Sequence, residues 1–263
     1  MSLQPPIWCY YDHCCQFQPE KHNHRYCTGH KCKRKAENAR KRLTDPSVQE
    51  DIEEVWQLQE NKRLAKVMEA QVKNEWILNR SKILMYDIEA SNLDASIGLM
   101  ICACVKERGG ETKTFTALNG GKGIPSDREA LLQLRDALED ADFICGYYSM
   151  RYDLVFINTR LLMHGERPIQ QLRHIDLYYT ARYKLKLHSN RLDVVAETLL
   201  GRSEKTRVLG PVWTRALMGD KEALGFIIDH CQKDVKVLED VFEKLRGFVN
   251  FAGLRWRSYG AAY

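Results

Sequence analysis

The stretch Lys82-Ile83-Leu84-Met85-Tyr86-Asp87-Ile88-Glu89-Ala90-Ser91 decides how the rest of the chain is read. Its compact apolar run, Ile83 to Ile88, reads as a buried strand with two carboxylates, Asp87 and Glu89, at the end. Residues two apart on a strand share a face. Both carboxylates therefore project together from the strand's C-terminal edge, where α/β sheets open their binding crevice. Such neighbours repel unless a cation neutralises them, and a hard divalent ion with oxygen ligands, Mg²⁺ or Mn²⁺, suits that role. Taken alone, the pair reads equally well as a solvated strand end with Glu89 capping the next turn.

Working outward, Ile97 to Val105 and Thr112 to Leu118 form two further β-type runs separated by the Arg108-Gly109-Gly110 turn, so a three-stranded meander is predicted. Helical and strand patterns then alternate. Asp127 to Asp140 is an amphipathic helix, and Phe143 to Gly146 is a short buried strand. Tyr152 to His164 is a helix closed by Gly165, Arg191 to Leu200 a helix closed by Gly201, and Asp220 to Phe248 a long terminal helix. The fold class is α/β, a mixed sheet flanked by helices. Two later segments add acids to the first pair. Asp153 opens an apolar helix after a strand and a tight turn, so it points back at the sheet edge. His230 and Asp234 lie at i, i+4 on one helical face, with Ile227, Val235 and Leu238 turned to the core.

This order resembles the DEDD, or DnaQ-like, superfamily of 3′–5′ exonucleases, whose fold is ribonuclease H-like. It has Asp-x-Glu on the first strand, Asp at the head of a helix after a Gly-Tyr turn, and a [Tyr/His]-x-x-x-Asp helix near the end. The stretch from His174-Ile-Asp-Leu to Leu187-His-Ser-Asn-Arg-Leu-Asp-Val-Val-Ala-Glu-Thr-Leu-Leu-Gly201 also looks like the connecting segment of proofreading-type members. The resemblance covers about residues 82–246. It implies hydrolysis of phosphodiester bonds at a 3′ end, with Asp87, Glu89, Asp153 and Asp234 holding two Mg²⁺ or Mn²⁺ ions. Metals also fit the chemistry, because a polyanionic substrate approaches a polyanionic site only when ions invert the local charge. His230 stands at the spacing of the family's tyrosine-type members. An imidazole there can orient or deprotonate the attacking water. Tyr148 stands where the family often has Asn in a Gly-His-Asn turn; it can stack on a base or pack internally. Arg182, Lys184 and Lys186 lie close, in the family, to the substrate strand.

The first 43 residues differ in kind. They hold nine Lys/Arg against three acids, a net +6 where the whole chain has +5, so the remaining 220 residues sum to about −1. Five of the nine cysteines (Cys9, Cys14, Cys15, Cys27, Cys32) fall in the first 32 residues. An odd count with no export signal argues against a disulfide framework. Residues 1–35 are too short to fold on apolar burial alone. The paired spacing Cys9-x4-Cys14 and Cys27-x4-Cys32 can close a tetrahedral structural Zn²⁺ site, with Cys15 and His30 as alternate ligands, and supply the missing folding energy. The basic run Lys31 to Arg42, including Lys33 and Arg34, can contact phosphates. Residues 36–80 follow helical spacing after the Thr44-Asp45-Pro46 start signal.

Three segments result: 1–35, a zinc-binding module; 36–80, a charged helical linker; 81–263, a ribonuclease H-like exonuclease domain. With 44% hydrophobic and 29% charged residues and a mean hydropathy of −0.46, disordered, collagenous and membrane-spanning classes drop out. The chain's start lacks the basic-then-apolar plan of a signal peptide, which predicts an intracellular protein. The resemblance implies a nucleic acid with a 3′ end, single-stranded and DNA rather than RNA, as partner. It also implies an enzyme that acts alone or with a polymerase or another replication or repair protein in trans. The competing reading is a nucleic-acid-binding or assembly subunit that keeps the exonuclease fold and has lost turnover.

Overall fold

A computed structural model describes residues 7–8, 16–17, 37–38, 41, 46–117, 126–169, 171–201, 210–254 and 257–258. The chain divides into two compact units, Met1–Gln71 and Val72–Tyr263. In the first, β1 (Ile7–Trp8) pairs antiparallel with β2 (Gln16–Phe17). Helix α1 (Pro46–Arg80) begins at the proline that the start signal marked, since proline's fixed φ and missing N–H suit a first helical turn. Its last nine residues belong to the second unit. There Leu78 is buried in the core and the Asn74 side-chain amide donates to Val249 O (3.2 Å).

The second unit is built on a five-stranded sheet in the order β5-β4-β3-β6-β8. Strands β3 (Ile83–Ala90), β4 (Met100–Glu107) and β5 (Thr112–Thr116) form the antiparallel meander. Two parallel strands, β6 (Phe143–Gly146) and β8 (His174–Asp176), extend it on the other side of β3. A two-residue strand β7 (Gln171–Leu172) pairs with β9 (Arg257–Ser258). The helices are α2 (Arg128–Glu139), α3 (Asp153–Met163), α4 (Leu177–Lys184), α5 (Leu192–Leu200), α6 (Gly210–Leu217) and α7 (Lys221–Leu245).

Strand parity distributes the core. Leu84, Tyr86 and Ile88 turn to one face, where they meet Leu131, Leu134 and Leu138 of α2 and Phe156, Ile157 and Leu161 of α3. Ile83 and Met85 turn to the other, against Ile227, Cys231, Val235 and Leu238 of α7. Continuing that second row by twos leads to Asp87 and Glu89. The carboxylates therefore emerge on the side of the sheet that the terminal helix covers.

Several boundaries differ from the sequence reading. The second strand starts at Met100, not Ile97. The Asn92 side chain accepts from Asp94 N (2.9 Å), and Asp94 O accepts from Ile97 N and Gly98 N, so the backbone there is closed into turns and Ile97 is exposed. The third strand stops at Thr116. The terminal helix gives way after Leu245 to a 3-10 turn, Arg246–Phe248. Strand β8 is too short to show alternation, and α4 follows it without a loop. Glycines close α3 and α5 as read: Gly165 and Gly201 have φ of 74° and 68°. Among the described residues, no helix is long and apolar enough to cross a membrane.

Candidate active site

The site forms at the C-terminal ends of β3, β6 and β8, where each strand gives way to a turn. Three devices bring the acids together. First, β3 delivers Asp87 and Glu89 side by side on one face, opposite Cys104 and Cys102 of β4 in the ladder. Second, the tight turn after β6 leads into α3, whose first residue is Asp153. Its Oδ1 accepts from Ile88 N (3.2 Å), the amide between the two β3 acids, which fixes Asp153 against that strand. Third, α7 is anchored by its N-cap Asp220, which accepts from Glu222 N and Ala223 N (3.0 and 3.1 Å). Its buried stripe Ala223, Ile227, Cys231, Val235, Leu238 seats one face on the sheet. His230 and Asp234 then fall at the edge of that face. His230 Nε2 lies 3.5 Å from Glu89 Oε1 and 3.7 Å from Asp234 Oδ2.

Among the described residues, Glu89, His230 and Asp234 form the group whose potential ligand atoms all lie within 4.8 Å of one another. Asp87, two residues before Glu89 on β3, and Asp153, bonded to Ile88 N between them, complete the set of acids. Electrostatics tie all four acids together. Burial, and then the charges of Asp153, Glu89 and Asp234, push the Asp87 carboxyl well above the ordinary range. Burial and the charges of Asp234 and Asp153 raise Glu89 to about 8. Burial lifts Asp153 to about 7, although its own backbone amide and that of Ile88 work in the opposite direction. These acids do not neutralise one another, and one imidazole cannot offset four carboxylates. The donor set, oxygen-rich and held in a crevice, fits hard divalent cations. The Cys231 thiol closes the site from behind, donating to Asp87 O and Oδ2 at 3.5 and 3.6 Å.

The turn before α3 has its own support. Gly146 is obligatory, because a Cβ there would collide with the Ser149 side chain and approach Tyr86 Cε1 to 3.1 Å. Ser149 Oγ is 2.9 Å from His174 Nε2, inside the core. Tyr148 has φ +60°, a conformation that a bulky side chain rarely adopts. The Asp176 carboxylate holds it there by accepting from Tyr148 N (2.9 Å) and Met150 N (3.1 Å). The same carboxylate caps α4 through Tyr178 N (3.0 Å). One buried acid thus ties the second-acid turn to the helix after β8. In the sequence Asp176 carries no motif of its own within His174-Ile-Asp-Leu; an acid directly before a helix is the one local signal for its capping role.

The other residues singled out in the sequence fall in three groups. Tyr148 is exposed beside the acids, and Arg182, Lys184 and Lys186 are exposed on α4 and just beyond it. Cys9, Cys14, Cys15, Cys27, Cys32, His30, Lys33 and Arg34 lie outside the described residues. Cys102, Cys104, Cys145 and Cys231 are buried free thiols.

Residues 84–246 match the family model of the RNase H superfamily named RNase_H_2, a segment that starts on β3 and ends just past α7. The chain belongs to the RNase H superfamily. Within this RNase H domain the matched segment carries all four acids and His230. Among solved structures, the chain is similar to the family B DNA polymerase from the hyperthermophilic archaeon Pyrobaculum calidifontis. That match has 21% identity and a TM-score of 0.55 over 65% of this chain. The likeness is one of fold, and the aligned part spans 25% of the polymerase. No curated protein matches the sequence significantly.

Proposed function

We propose that this RNase H domain is a metal-dependent 3′–5′ exonuclease that hydrolyses the terminal phosphodiester bond of nucleic acid, DNA in preference to RNA. The observation that carries the reading is the convergence of Asp87 and Glu89 from β3, Asp153 from α3 and Asp234 from α7 on one crevice, with His230 in reach of two of them. In this reading the four carboxylates hold two Mg²⁺ or Mn²⁺ ions, which supply charge neutralisation for the phosphate and the leaving oxygen. The chain's own residues do the rest. The Ile88 amide keeps Asp153 aimed at the crevice. His230 Nε2 orients the attacking water or takes its proton. Asp176 holds the Tyr148 turn at the entrance. In the N-terminal segment, Cys9, Cys14, Cys27 and Cys32 hold one structural Zn²⁺, with residues 36–80 as a helical linker to a domain spanning 81–263.

The test is incubation of the full chain with end-labelled single-stranded DNA and RNA in Mg²⁺, Mn²⁺ or EDTA. Stepwise shortening from the 3′ end that needs metal, and that Asp87→Asn abolishes, is the expected outcome. Cleavage that survives Asp87→Asn removes these acids from the chemistry, and no cleavage with any metal returns the domain to the reading of a binding or assembly subunit.

A further inference from the structure

Beside the acids lies a cluster of aromatic rings that the apolar core does not account for. Helix α4 reads Leu177-Tyr178-Tyr179-Thr180-Ala181-Arg182-Tyr183-Lys184, with only Leu177 and Ala181 buried. Tyr148 packs edge-on to Tyr178 (centroids 4.8 Å apart), and Tyr178 packs edge-on to Tyr179 (5.3 Å). Tyr179 stacks over Tyr183 with an interplanar angle of 15° (6.3 Å). Two arginines pin the rings by their hydroxyls: Arg151 Nε donates to Tyr179 OH (3.3 Å) and Arg182 Nη1 to Tyr178 OH (3.2 Å). Yet Tyr183 is 73% exposed and Tyr148 45% exposed. Large rings held in place while their faces meet water are poor core and good platform.

Backbone strain points the same way. Tyr148 keeps a left-handed φ of +60°, and its exposed ring does not recover that cost by burial. The strained turn runs directly into the helix that carries Asp153: Tyr148 O accepts from Tyr152 N (3.2 Å) and Ser149 O from Leu154 N (3.0 Å), the residues on either side of that acid. From there the rings run along α4, lined by exposed arginine charge.

We infer that Tyr148, Tyr178, Tyr179 and Tyr183, with Arg151 and Arg182, form a stacking track for unpaired bases that carries single-stranded nucleic acid to the acids. This rests on the hydrolytic reading above and adds to it how the strand is held. Stacking on aromatic faces needs bases free of a complementary strand and tolerates any sequence, because every base has a π face. The arginines contribute charge for the backbone phosphates without reading bases. Direct neighbourhood to a phosphodiester-cleaving crevice favours a nucleic acid over a protein partner, which also uses Tyr and Arg at hot spots.

The experiment uses the full chain and fluorescein-labelled mixed-sequence 12-mers, as single-stranded DNA, single-stranded RNA and duplex. Binding is read by anisotropy in EDTA, so that it does not depend on turnover. Tyr183→Ala, at a site exposed enough to leave the fold intact, should weaken binding of single strands by about 5- to 150-fold, the range for one lost stacked base. Tyr183→Phe, which keeps the ring, should bind within about twofold of the parent. In Mg²⁺, KM on the single-stranded 12-mer should rise in Tyr183→Ala and stay near the parent value in Tyr183→Phe.

Weakened binding of either DNA or RNA supports the track, and the two arms show which sugar it takes. Unchanged binding of both by Tyr183→Ala and Tyr179→Ala, equal loss in Tyr183→Phe, or preference for the duplex overturns it. In that event the tyrosines serve a protein contact. Failure of the parent to hydrolyse either substrate would instead remove the hydrolytic reading and leave the binding result standing.

Discussion

Asp87 and Glu89 illustrate how far a single residue can be argued. Their shared face follows from strand parity, which any register of a buried strand preserves. Each neutral substitution of the four acids, Asp87→Asn, Glu89→Gln, Asp153→Asn or Asp234→Asn, should cut turnover by orders of magnitude while circular dichroism stays unchanged. The same acids set a pH dependence of stability. Glu89 has a folded pKa of about 8, above the ordinary glutamate value, so without metal the folded state binds more protons than the unfolded state between those limits. Its stability is complete below the ordinary value and falls as pH rises through about 8. A bound divalent ion cancels that repulsion and adds about 2.7 kcal/mol at a hundredfold excess over Kd. Mn²⁺ should therefore raise Tm more at pH 8.5 than at pH 5. Glu89→Gln should raise the metal-free Tm at pH 8.5 and lose most of the gain from Mn²⁺. Equal metal-induced shifts at both pH values would contradict this account.

Helix α3 places Asp153, and its own position depends on a buried charge cluster in its C-terminal half. Asp127, just before α2 and fully buried, accepts from Arg160 Nε and Nη2 (both 2.8 Å) and from Met100 N (2.9 Å). His164 Nε2 lies 2.6 Å from its Oδ1, and Arg160 Nη1 reaches Ala95 O at 3.2 Å. The cluster joins α2, α3, the start of β4 and the loop before it. Burial alone would raise the Asp127 pKa; the hydrogen bonds from Arg160, His164 and Met100, with the guanidinium charge, outweigh it and hold the carboxyl below the usual range. The stability it contributes is present above the ordinary aspartate pKa of about 4 and is lost as pH falls through the lower folded value. Arg160→Met should cost about 3–5 kcal/mol in chemical denaturation, because it leaves a buried carboxylate without its main partner. Asp127→Asn should blunt the loss of stability below about pH 4. A cost under about 1 kcal/mol for Arg160→Met would mean that α3 is held by its apolar face alone.

At the scale of the whole chain, five of the nine cysteines fall in the first 32 residues, and the buried apolar core lies in the unit Val72–Tyr263. If Cys9, Cys14, Cys27 and Cys32 bind Zn²⁺, protein purified without added zinc should carry about one equivalent by elemental analysis. Freely titratable thiols with no zinc in a folded segment would refute that site. For the rest of the chain, apolar patterning is enough to read the meander, β6, α2, α3, α5 and α7: the helices present one apolar face to the core, and β4 and β6 are short apolar runs buried on both faces. Motif spacing singles out Asp87, Glu89, Asp153, His230 and Asp234 as candidates, because side-chain direction on a strand or helix is a local property, and the fold brings these five to one crevice. Contacts distant in sequence were out of reach. Asp127 meets Arg160 across 33 residues, and Asp176 meets Tyr148 across 28. Neither pair leaves a periodic trace, since each involves one polar side chain chosen for a partner that only the packed sheet brings near. The tyrosine cluster divides the same way: the repeated tyrosines of α4 are visible as composition, but Asp176 and the turn after Gly146 decide that Tyr148 completes the row. Local chemistry thus settles which groups are available, and the tertiary fold settles which of them share a crevice, because proximity is produced by closing loops around a core that no local pattern encodes.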